Sequence, residues 1–98
     1  MPSITQAEYD DLQAELRRLR RQERFVTYEK ASARRSNVEG DLEAADDRLL
    51  DAARCFRGRK HDGEALYKAI VIYVTQALRL GKAQAAEKEA HEAYLAQD

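Results

Sequence analysis

Apolar residues recur along this chain at three- and four-residue intervals, the period of a helix rather than of a strand. Thr5 and Glu8 form a T-x-x-E capping box ahead of the first run. Tyr9, Leu12, Leu16 and Leu19 then follow heptad spacing and make a narrow apolar seam. The seam weakens beyond Leu19, where Glu23, Val26 and Lys30 take the next positions. "RFVTYE", residues 24–29, is rich in strand-favouring side chains. The pattern favours continued helix there, with a short β-hairpin over residues 24–35 as the alternative.

Ser36 and Glu39 form a second capping box. Val38, Leu42, Ala45, Leu49, Ala52 and Phe56 keep heptad positions through a second helix, with Gly40 in its first turns. "RGRKHDG", residues 57–63, carries two glycines and reads as a turn. A third helix is predicted from near Asp62 or Glu64. Leu66, Ile70, Tyr73, Ala77 and Leu80 form one stripe on it, and Tyr67, Val71, Val74 and Leu78 form another beside the first. An arc this wide implies cover on two sides. Beyond Gly81 the stripe thins to Ala83, Ala86, Ala90 and Tyr94. The expectation is an all-α fold of three helices with a long C-terminal helix as its spine. Residues 1–98 form one helical domain, and 82–98 are an extension that engages a partner chain.

The length, 98 residues and 11.2 kDa, fits one domain. With 44% hydrophobic and 36% charged residues, the chain is too apolar to be disordered. Cys55 is alone, so no disulfide can form within the chain and nothing points to an oxidising compartment. Its place between Arg54 and Phe56 at a helix C-terminus suits a buried or half-buried structural cysteine. The N-terminus lacks the apolar core of a signal peptide. The longest apolar region is interrupted by Lys68 and Arg79 and is too short to span a bilayer. These features point to a soluble, cytoplasmic protein from a reducing compartment, without a membrane partner.

Net charge is only −1, but it is segregated. Residues 17–35 hold eight basic side chains against Glu23 and Glu29; residues 36–51 hold six acidic ones against Arg48. On a helix, Arg17, Arg20, Arg21 and Arg24 fall on one side. They could contact phosphates, with Arg34 and Arg35 adding to the site. They could instead pair with the carboxylate row Glu43, Asp47 and Asp51, which is similar in length. The pairing reading ranks first, because a pI near 6.1 is low for a nucleic-acid binder. A second basic cluster, Arg54, Arg57, Arg59, Lys60 and His61, lies in the turn. Arg57, Arg59 and Lys60 are candidates for an anion there, against the plainer role of favouring a helix C-terminus.

Catalytic and metal patterns are not evident. His61 and His91 stand thirty residues apart, with no Cys or His at metal spacing; His91 suits an exposed helical face. Asp10–Asp11 and Asp46–Asp47 are adjacent in sequence and point to different faces of a helix. No phosphate-binding loop, nucleophile elbow or dinucleotide fingerprint occurs. The expectation is a protein that is not an enzyme and uses no cofactor or metal.

Residues 5–50 resemble the small head-completion proteins of tailed phages, the lambda W-like family. "AELRRLRRQ" stands where that family has a first helix ending in basic residues. "RFVTYE" stands at its short strand pair, and "RRSNVEGDLEAADDRL" at its capped helix. The resemblance covers under half the chain, lacks the glycine before the first strand, and offers no counterpart for the third helix. It implies a virion connector built from many copies.

Taken together, these features point to a non-enzymatic interaction or assembly protein, expected as a homo-oligomer or within a larger assembly. Tyr9, Leu12, Leu16, Leu19, Ala83, Ala86, Ala90 and Tyr94 would bind partners, with Arg17, Arg20, Arg21 and Arg24 setting register. A nucleic-acid-binding accessory using the 17–35 stretch, or a small inhibitor of a larger complex, are the alternatives.

Overall fold

A computed structural model describes residues 3–96. The chain forms two helices, α1 (Gln6–Arg54) and α2 (Lys60–Leu95), folded back on each other as an antiparallel hairpin. This overturns the three-helix expectation and its β-hairpin alternative, since no strand occurs among the described residues. The expected first and second helices are one helix of 49 residues.

The reason is local. Between Gln6 and Glu39 there is neither glycine nor proline, and Val26 and Thr27 cost a helix only tenths of a kcal/mol each. The Thr27 hydroxyl donates to the Glu23 carbonyl at 3.0 Å, a bond made within the helix. The Thr5 cap forms as expected, its side chain accepting from the Glu8 amide at 3.2 Å. The Ser36–Glu39 box does not form. Ser36 is mid-helix, and Glu39 pairs with Arg35 at 2.9 Å.

α1 and α2 meet along one heptad seam each. On α1 the covered positions run through Tyr28, Ala31, Arg35, Val38, Leu42, Ala45, Leu49 and Ala52. On α2 they run through Leu66, Ala69, Tyr73, Gln76, Leu80, Ala83, Glu87, Ala90 and Tyr94. Among the described residues the buried apolar set is small: Val38, Ala45, Ala69, Ala83 and Ala90. Alanine at these layers lets two backbones approach, and the flanking side chains close over them. Register is marked by the Arg35 Nε to Glu87 bond at 2.8 Å and by Arg79 near Asp41 at 3.8 Å.

Each end has its own fastening. At the turn, Gly58 has φ +83°, a conformation that non-glycine residues adopt only at a cost. Asp62, only 8% exposed, gathers the loop. Its Oδ2 accepts from the amide of Arg57 at 2.9 Å and from the amide and Nε of Arg59 at 3.3 Å. At the open end, Tyr94 lies 5.5 Å from Phe25 and 6.3 Å from Tyr28, and His91 lies 5.1 Å from Tyr28 between ring centroids. The Arg24 guanidinium donates to the Ala96 carbonyl at 3.3 Å.

The molecule is long and thin, 83 × 23 × 13 Å. It exposes 7939 Å², where a compact chain of this mass would expose about 5,700 Å². Helix lengths of about 74 and 54 Å differ by about 20 Å. Because α2 ends beside Arg24, the first four turns of α1 project beyond it as an arm.

Glycine substitutions are expected to act with opposite sign. Gly58→Ala should lower stability by about 1 kcal/mol through its positive φ. Gly40→Ala, in a helix interior with open space around it, should raise it by up to about 1 kcal/mol. Ala83→Leu should force the helices apart and cost about 1–3 kcal/mol. Urea unfolding followed by circular dichroism measures all three.

Candidate functional site

The hairpin leaves two apolar faces uncovered. On α2, Tyr67, Ile70, Val71, Val74 and Leu78 are between 43% and 69% exposed. They lie on the side of α2 away from α1. The wide apolar arc read from the sequence as cover on two sides is therefore covered on one. On the arm, Tyr9, Leu12, Leu16 and Leu19 are 44% to 54% exposed, and Val26 continues their line.

The arm seam and the α2-facing seam occupy opposite sides of α1. Val26 belongs to the first and Tyr28 to the second, and two residues separate side chains by about 200° around a helix. Hence the arm seam is not a continuation of the hairpin contact. It is a separate surface, pointing away from α2.

The other expected partner residues divide. Arg17, Arg20 and Arg21 are exposed, whereas Arg24 is half-buried against the end of α2. Ala83 and Ala90 are buried on the chain's own α1, and Tyr94 is half-buried in the aromatic cluster, so these three are covered within the chain; Ala86 is exposed. Residues 82–95 belong to α2 along its length against α1, and 97–98 lie outside the described residues. The aromatic cluster of Phe25, Tyr28, His91 and Tyr94 is absent from the sequence-based reading, although Tyr28 and Tyr94 both fall on heptad positions.

The arginine row and the Glu43, Asp47, Asp51 row lie on the same helix, at least 28 Å apart along its axis by about 1.5 Å per residue. They do not meet within one chain, because α1 runs unbroken through Ser36, where a new helix is expected to start. Arg18 instead pairs with Glu15 of its own helix through Nε at 3.1 Å, which holds the Glu15 carboxyl below its usual range.

Candidate anion residues are partly engaged. Arg57 Nη1 donates to the carbonyls of Arg54 at 2.9 Å and Phe56 at 3.1 Å, closing the C-terminus of α1. Arg59 is tied to Asp62. Arg35 spans Glu39 and Glu87. Arg34 and Lys60 are exposed. Cys55 is exposed rather than buried, since α1 ends at Arg54 and Cys55 stands at its C-cap. No group of His, Cys, Asp or Glu among the described residues could hold a metal ion. No helix among them is long and apolar enough to cross a membrane.

Two carboxylates that fasten the hairpin titrate low. The Arg57 amide, then the amide and side chain of Arg59, hold Asp62 below its ordinary value against the opposing effect of burial. Arg35 does the same for Glu87, helped by the Ser32 hydroxyl. Their contribution to stability is complete above the unfolded values, about 3.9 and 4.3. It is lost as pH falls through the lower folded values. Thermal melts should therefore be flat from neutral pH to about pH 5 and fall below about pH 4. Asp62→Asn and Glu87→Gln should each lower the neutral melting point and flatten the acid fall.

Comparison with known proteins gives no match for this chain, whether against family models, curated proteins or solved structures.

Proposed function

We propose that this chain is a non-enzymatic assembly protein that associates first with copies of itself through its uncovered helical faces. The observation that carries this reading is the pair of apolar faces on a molecule with little interior of its own. Five large apolar side chains on α2 and four on the arm stand in water. Contiguous patches of this kind on a soluble chain mark interaction surfaces. A helix with apolar stripes on opposite sides is a middle element, in need of a second neighbour. The charge blocks supply register and partner choice.

A role as a virion connector or head-completion component rests on the resemblance of residues 5–50 alone. The exposed row Arg17, Arg20 and Arg21 supports a second reading, phosphate contact with nucleic acid.

Light scattering on a sizing column tests the assembly reading. At about 0.05 M and about 1 M salt, the chain should run as a defined species heavier than 11.2 kDa. Val74→Glu and Leu16→Glu each place a charge in one face and should each give a smaller species, with helicity retained. The double variant should be a monomer. A wild-type monomer at both salts overturns the reading.

A further inference from the structure

We propose that the N-terminal arm of α1 pairs antiparallel with the arm of a second copy of this chain, so that two hairpins join end to end. This rests on the assembly reading and names the contact that it requires.

The spacing of the seam is the first observation. Tyr9, Leu12, Leu16 and Leu19 are separated by three, four and three residues. That series is the same read in either direction. When two arms run antiparallel about a two-fold axis at the level of Ala14, Tyr9 of one copy meets Leu19 of the other and Leu12 meets Leu16. Four apolar layers form with no polar residue between them, as in a short coiled coil. The contact is self-complementary, as a two-fold interface must be.

A parallel pair would fill the same layers, and charge decides between them. Glu8, Asp10, Asp11 and Glu15 precede Arg17, Arg18, Arg20 and Arg21. Divided at Ala14, the arm is thus three charges negative in its outer half, from Glu8, Asp10 and Asp11, and net three positive in its inner half, where Glu15 stands with the four arginines. Parallel arms would set like against like along the whole overlap. Antiparallel arms bring Glu8 level with Arg20, Asp10 with Arg18 and Asp11 with Arg17, each twice, as opposite charge at the same height along the pair rather than as ion pairs across the seam. Opposed helix dipoles favour the same direction.

The geometry leaves room. The seam points away from α2, so the partner arm lies on the opposite side of α1 and meets no part of the same hairpin. An isolated helix of four turns is marginal in water, and the arm has no α2 beside it. A second arm supplies the missing neighbour. The joined pair would be about 140 Å long, against 83 Å for one hairpin.

Disulfide trapping reads the direction of pairing. Two chains, Leu12→Cys and Leu16→Cys, are each made in a Cys55→Ser background, then mixed and oxidised gently. The expected result is that the mixed disulfide predominates over both homodisulfides, and that Leu16→Glu halves the mass of the arm-joined species. Predominance of the two homodisulfides means parallel arms and overturns the inference. No disulfide of any kind, with the wild type still oligomeric and its mass unmoved by Leu16→Glu, also overturns it while the assembly reading stands on α2. A wild-type monomer removes both. An oligomer that forms only when duplex DNA is added overturns the inference in favour of phosphate contact.

Discussion

Close approach of two backbones at Ala45, Ala69, Ala83 and Ala90 is the constraint on which the hairpin is built. Small side chains at these layers bring α1 and α2 together but contribute little buried area of their own. Half-covered neighbours such as Leu42, Leu49, Leu66 and Leu80 supply the rest, along with the polar pair Arg35 and Glu87 set into the seam. A two-helix contact of this kind covers one stripe on each helix and can cover no more. Apart from flanking residues such as Ile72 and Ala77, the large apolar side chains outside those stripes stay exposed among the described residues. The uncovered faces are thus a direct result of the fold having only two elements.

The sequence made the helical content, the Thr5 cap, the turn near Gly58, the arm seam and the α1 positions Val38 to Ala52 legible, because each depends on residues close together in the chain; on α2 it set Ile70 and Ala77 in the stripe where Ala69 and Gln76 face α1. The number of helices was not legible in the same way. Ser36 and Glu39 carry the signature of a helix start, yet a signature marks a start only where the preceding residues leave the helix. Nothing from Gln6 to Arg35 forces them out. The heptad positions on either side of residue 36 also belong to one unbroken α2-facing series, Tyr28, Ala31, Arg35, Val38 and Leu42. Joined, these positions point to a single helix more strongly than the capping box points to two.

The division of residues between inside and outside followed a similar course. Tyr9 to Leu19 are exposed where the sequence places an interaction seam. Ala83 and Ala90 belong to the hairpin instead, since a helix that runs antiparallel for its full length covers its own partner's small residues. Phase separates the two cases. The arm seam and the α2-facing seam are each regular, but they are out of step by half a helical turn. Such a phase change marks two separate apolar stripes on one helix, of which one meets α2 and the other is exposed.

Both described ends of the chain lie toward the open end of the hairpin, while the Gly58 turn closes the other. A load applied between them would not drag α1 and α2 past each other along their length. It would peel them apart across the seam, one layer at a time, starting at the ring cluster in which Tyr94 stacks on Tyr28 and tilts against Phe25 and travelling toward the loop. Layers held by alanine resist such peeling weakly, since few atoms separate at each step. This aromatic clasp is therefore the latch of the molecule under tension.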